Sequence, residues 1–443
     1  MPRTHIVNAR MVNEGRIFEG DLVIDGERIA SINGPAPADA VVVDLAGAWL
    51  LPGMIDDQVH FREPGFEHKG TIATESRAAV AGGITSFMEM PNTSPQTVTT
   101  EALLDKRARA AASSAANYAF YLGATNDNLE AIKSVDAALT CGVKVFMGAS
   151  TGNMLVDNPR TLEAIFASTP LLVATHCEDT PTIIANERRA REQWGDEIPF
   201  REHATIRSAE ACWLSSSLAV DLARRHGTRL HVLHLTTARE MALFAAGPVT
   251  DKQITAEACV HHLFFTDADY ERLGADIKCN PAIKSAEDRD ALLAAVTNDV
   301  IDVIATDHAP HTIEEKAHHY PSAPSGLPLV QHALLSLFDR VADGTFSVTT
   351  VVNKTSHAPA QRFGVAERGF LREGYFADLV VIGEPRFGHP GVLSKCGWSP
   401  FAGHTFSHEV HHTWVNGAHV YAGGRLTGET RAQPLVFDRP WMR

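Results

Sequence analysis

Several features are scarce in this chain, and each scarcity narrows the reading. The six cysteines, at positions 141, 177, 212, 259, 279 and 396, contain no C-x-x-C pair. That spacing favours reduced thiols over a disulfide framework. No run of about 20 apolar residues occurs, so no membrane-spanning helix is expected. The opening Met1-Pro-Arg-Thr-His-Ile6 has no apolar signal core, and a cytoplasmic location is expected. Basic residues are outnumbered, with 39 Lys+Arg against 53 Asp+Glu and a net charge of -14. No basic stripe is visible, which argues against nucleic-acid or membrane-surface partners. A small anionic substrate stays open, because a few local cations can dominate one pocket. Internal repeats and low-complexity tracts are also missing.

An apolar content of 44% with 21% charged residues is ordinary for a globular protein. The 443 residues allow one large α/β barrel or two domains. Short strand-like pieces at 5–8, 20–25 and 41–44 are separated by turn residues such as Asp25-Gly26 and Asn33-Gly34. Similar pieces return at 377–382, 412–415 and 419–421. A small β-sandwich domain built from residues 1–50 and 370–443 is therefore expected, bracketing a domain over 51–369.

Within that middle portion strands and helices alternate. Strand candidates end at His60, Pro91, Thr125, Ala149, Glu178, Thr236, His261 and Asp307. Helical patterns cover 75–81, 100–114, 128–139, 208–225 and 287–296. Eight such units fit a (β/α)8 barrel of the TIM type. A doubly wound sheet would show the same alternation. The barrel is preferred because polar residues sit at nearly every strand end, where barrel enzymes build their sites.

The first strand is the most telling. After the apolar run from Trp49 to Ile55 comes Asp56-Asp57-Gln58-Val59-His60-Phe61-Arg62. Strict alternation would place Asp56, Gln58, His60 and Arg62 on one face, a grouping that no ordinary core wants. Later strand ends add Asn92, Lys144, His176, His234, and the pair Asp307 and His311. Three imidazoles and a carboxylate suit zinc. Taken singly, any of these histidines reads as a packed core residue, and Asp307 as a helix cap.

These motifs resemble the amidohydrolase superfamily and, within it, the dihydroorotases. Asp56-x-Gln58-x-His60-x-Arg62-Glu63-Pro64-Gly65 is similar to the family's Asp-x-His-x-His-x-Arg-Glu-Pro-Gly. Met90-Pro-Asn-Thr93, Thr306-Asp-His-Ala-Pro-His311 and the late Gly369-to-Leu379 segment match as well. The resemblance implies metal ligation by His60, Asp307, His176 and His234, with one or two zinc ions. Lys144 looks like the lysine that many relatives convert to a bridging carbamate; others use an aspartate there. Asp307 would act as general base and then acid. Arg62, Asn92 and His311 would hold a substrate carboxylate, and Asn280 the ring amides. Gln58 departs from the pattern, since an amide is a poorer zinc ligand than imidazole. A modified metal site is expected, and loss of catalysis is the alternative.

The implied reaction is reversible cyclisation of N-carbamoyl-L-aspartate to L-dihydroorotate. A hydantoinase or allantoinase is one rival reading, and a non-catalytic scaffold is another. Segments 148–157 and 312–326 are candidate lids, with Ser150 and Thr151 as candidate substrate contacts. Relatives are often homodimers, although no segment here reveals an interface. Two motifs are read as accidental. Gly148-Ala-Ser-Thr-Gly152 lacks the helix that a nucleophile elbow requires. His408-Glu-Val-His-His412 is expected on a strand, where residues four apart lie about 13 Å from each other.

Overall fold

The computed structural model describes residues 3–148, 154–388 and 391–442. Eight parallel strands close into a barrel. Strand one is Met54–Val59, strand two Ile84–Glu89, and strand three Asn117–Phe120, resuming at Leu122–Gly123. Strands four to eight are Val143–Phe146, Val173–His176, Leu230–Val232, Ile254–Cys259 and Val303–Ala305. Each pairs in parallel with the next. A parallel bridge from Val59 to His308 closes the ring, and the His60 N–H donates to the His308 carbonyl at 2.7 Å. Thr306 ties the same seam, donating its backbone N–H and its hydroxyl to Asp56 at 3.1 and 2.6 Å.

The helices between strands start where the sequence offers caps. Thr71, Thr99, Ser208 and Ser285 each accept the backbone N–H three residues on, and each such cap contributes about 1 kcal/mol. At the bottom of the barrel Ile55, Ala119, Tyr121 and Leu172 pack against Ala360 and Phe363. Ala360 and Phe363 come from the helix Ala358–Phe363. This plug leaves the opposite end for the site.

A nine-stranded sheet combines both ends of the chain. Thr4–Asn13 and Trp49–Pro52 pair in parallel, and Trp49–Pro52 pairs antiparallel with Leu379–Gly383. The apolar run from Trp49 to Ile55 is thus two strands in two sheets, not the single strand its composition suggests. Gly53 makes the break: a Cβ there would lie 2.2 Å from the Thr85 side chain. Asp378 joins the two sheets. It pairs with Arg368, accepts the Asn416 N–H at 2.8 Å and takes the Asn117 amide of strand three at 3.1 Å. The late motif is therefore a structural joint. The H-E-x-x-H match falls on the strand Glu409–Val415, as its flanks imply. No helix among the described residues is long and apolar enough to cross a membrane.

Candidate active site

A pocket at the C-terminal end of the barrel is lined by Gln58, His60, Arg62, Lys144, His176, His234, Asn280 and Asp307, together with Phe146, Ala309, Ser325 and Gly326. Eight positions singled out by sequence converge there. Asn92 and His311 do not line it; they stand one layer back. Asp56 also turns away, bonded to Thr306 at the seam. The register of strand one shifts between Asp56 and Val59, which breaks the strict alternation expected from sequence.

Three of the lining residues have positive φ: Arg62 at 73°, His234 at 38° and Asp307 at 52°. Such backbone is uncommon outside glycine and concentrates at functional sites. The hydrogen bonds then fix which ring nitrogens face the pocket. His60 Nδ1 meets the Asn92 amide oxygen at 2.8 Å, so it carries the proton and donates. Its Nε2 lone pair then faces Asp307 Oδ1 at 3.1 Å. A proton or a metal cation between them reconciles two acceptors that close. Across the pocket His176 Nε2 donates to Glu178 at 3.1 Å, leaving Nδ1 to face His234 Nε2 at 3.0 Å. Burial opposes ionisation of Glu178, but Arg207 and His176 bring its carboxyl down to about 2. Burial lowers both imidazoles, His234 strongly so, and keeps their lone pairs available.

Lys144 is 1% exposed, with its Nζ 4.7 Å from the Phe146 ring centroid. Burial lowers it to about 8, against the opposing pull of Asp307 and Glu257. The donor set of imidazoles, a carboxylate and an amine that loses its proton easily fits zinc. Gln58 does not present its oxygen to this set. Its Nε2 donates to Asp307 Oδ1 at 3.1 Å, while its Oε1 accepts from the Cys259 thiol at 3.7 Å.

Arg62 is buried with no acid paired to it among the described residues. Its Nε donates to the Pro310 carbonyl and its Nη2 to His311 Nε2, both at 3.0 Å. Lys69 approaches His311 Nδ1 at 3.1 Å. Burial and these cations push the imidazole down, so it serves Arg62 as a neutral acceptor. Asn280 Oδ1 is buried without a partner. In the segment 312–326, Lys316 Nζ donates to the carbonyls of Pro324 and Gly326 at 3.1 and 3.0 Å, which seats Ser325 and Gly326 on the pocket. Ser150, Thr151 and the centre of the other candidate lid lie outside the described residues. His261 and His262 follow the end of strand seven, their rings 3.9 Å apart.

A parallel barrel carrying a zinc-type donor set at its strand ends defines a hydrolase of the metal-assisted kind. A profile of the Amidohydrolase family matches residues 49–420. A dihydroorotase from Halobacterium salinarum is 36% identical over 406 residues, covering 90% of this chain and 92% of its own. An allantoinase from Bacillus velezensis is 30% identical, covering 95% and 94%. The solved L-hydantoinase (dihydropyrimidinase) from Arthrobacter aurescens superposes with a TM-score of 0.90 at 25% identity, covering 99% and 100%. The chain belongs to the amidohydrolase family.

Proposed function

We propose that this amidohydrolase is a dihydroorotase, interconverting N-carbamoyl-L-aspartate and L-dihydroorotate in de novo pyrimidine biosynthesis. The observation that supports the substrate is Arg62: a buried guanidinium on the pocket wall that forms no direct ion pair among the described residues. A buried charge of this kind is costly until an anion meets it, and its planar fork matches a carboxylate. Dihydroorotate carries that carboxylate, whereas hydantoin and allantoin rings lack one. Relatives named for each activity are similar to this chain, so the choice among them rests on this pocket wall.

Zinc, held by His176 and His234 with Lys144, and by His60 with Asp307, would polarise the ring carbonyl as a Lewis acid. The free amine of Lys144 suits reaction with carbon dioxide to give a carbamate. Arg62 orients the substrate carboxylate, and the unpaired Asn280 Oδ1 accepts a ring N–H. In ring opening, water adds to the amide carbonyl carbon and the C–N bond breaks. Asp307 takes the proton from that water and delivers it to the leaving nitrogen. Gln58 donates to the same carboxylate and orients it. The Ser325–Gly326 turn covers the pocket and limits water.

The test is L-dihydroorotate ring opening by protein incubated with zinc and bicarbonate. Turnover abolished by a chelator is expected. Turnover confined to rings without a carboxylate would move the assignment to the hydantoinase or allantoinase activity, and no turnover on any ring would leave a scaffold.

A further inference from the structure

Inside the barrel, below the pocket, three side chains from three strands meet in a place that the reaction does not use. Asp57 comes from strand one, His231 from strand six and Glu257 from strand seven. All three are fully buried. His231 Nε2 lies 3.1 Å from Asp57 Oδ2 and 3.4 Å from Glu257 Oε2. Beyond those approaches, Asp57 Oδ1 and Oδ2, Glu257 Oε2 and His231 Nε2 find no hydrogen-bond partner of good geometry among the described residues.

The surrounding bonds determine what His231 offers. The Thr255 hydroxyl donates to the Leu230 carbonyl at 3.4 Å, so it accepts from His231 Nδ1 at 2.8 Å. Nδ1 therefore carries a ring proton, and once Nε2 has lost its own the three groups turn acceptors toward one dry point with two negative charges between them. A divalent cation balances those charges and satisfies all three atoms. Zinc bonds of about 2.0–2.1 Å at tetrahedral angles place ligand atoms about 3.3 Å apart, which matches both separations.

We infer that Asp57, His231 and Glu257 form a buried structural site for a divalent cation of the zinc type, distinct from the catalytic pocket. An ion there would also brace that pocket, because Glu257 Oε1 accepts the His234 N–H at 2.9 Å where the backbone is strained. Being fully enclosed, the ion would be taken up with folding. Without it the charges are met by protons: burial raises Glu257 to about 8, while the two acids overcome burial to raise His231 to about 9. The neighbouring Cys259, His261 and His262 also bring donors within 4.8 Å of one another. Burial beside Glu257 and Asp307 pushes that thiol up, and it is already donating to Gln58, so the carboxylate group is the better site.

The experiment is anomalous diffraction at the zinc edge on crystals of the full-length wild-type protein grown with zinc. A peak bonded to Asp57, His231 and Glu257, separate from any density at His176 and His234, is expected. Zinc content should then fall by one ion per chain in folded Asp57→Asn, with Glu257→Gln as the second variant. No peak at the triad overturns the proposal, whatever the catalytic pocket holds. Unchanged zinc content in both folded variants overturns it as well.

Discussion

Replacing Arg62 tests the substrate assignment most directly, because its hydrogen bonds can be counted. A guanidinium has five N–H groups. One goes from Nε to Pro310 and one from Nη2 to His311, leaving three without a bonded partner among the described residues, enough for a two-bond fork. Each hydrogen bond to a charged group contributes about 1.5–3 kcal/mol. Losing the fork should cost about 3–6 kcal/mol, or on the order of 10²–10⁴ in kcat/KM. Arg62→Ala should show that loss in steady-state assays of L-dihydroorotate ring opening. Arg62→Lys, which keeps the charge without the planar fork, should recover part of it. A rate for Arg62→Ala within threefold of wild type would refute the carboxylate role. So would an equal loss on dihydrouracil, the same ring without the carboxylate, since that pattern marks a purely structural arginine.

Gln58→His should raise the zinc retained after dialysis, because an imidazole replaces an amide that now donates to Asp307; unchanged metal content would mean that the amide is not what limits the site. Asn92→Ala should weaken zinc affinity about 10–100-fold in chelator competition, since Asn92 orients His60; a rise in KM at constant affinity would return it to the substrate. For Lys144, lowered from 10.5 to about 8, the unfolded state binds more protons between those values. Stability of the metal-free protein should therefore rise with pH from about 8 to 10.5, and a flat denaturation profile in Lys144→Met would locate the effect. Lys106 is buried against Glu89 at 2.8 Å and Met90 O at 3.1 Å. Lys106→Met strands that acid and should cost about 3–5 kcal/mol in urea denaturation; a loss below about 1 kcal/mol would mean the carboxylate protonates at little cost.

The barrel was legible because each strand end announces itself with a polar residue after an apolar run. Lys144, His176, His234 and Asp307 all reach the pocket from positions that such a reading selects. Asn92 and His311 sit beside the site in sequence and bond to His60 and Arg62, a pairing that only three-dimensional packing reveals. Alternation also misplaced Asp56, because a register shift in strand one is not encoded in the apolar pattern. The same shift brings Asp57 into the barrel interior, where a strictly alternating strand would have pointed it outward. Gly53 carried the one usable signal for the broken run at 49–55, and glycine in a strand pattern marks close backbone approach.

The parts that stayed hidden share a cause. Arg62, His234 and Asp307 adopt left-handed backbone that local preference disfavours, so no rule built on propensity would place them there. What holds them is tertiary: the Pro310 carbonyl on Arg62, Glu257 on the His234 N–H, and Gln58 on Asp307. Two of these three supports come from the Gln58 amide and from Glu257, an acid of the buried triad. If Gln58 and Glu257 act as proposed, an amide at position 58 is not an isolated loss. It shifts the task of shaping the pocket from metal ligation toward the protein around it, and Gln58→His should then lose orientation of Asp307 even as it gains zinc. More bound metal with lower turnover in that variant is the result this argument requires; more metal with higher turnover would show that the amide is simply a weaker ligand.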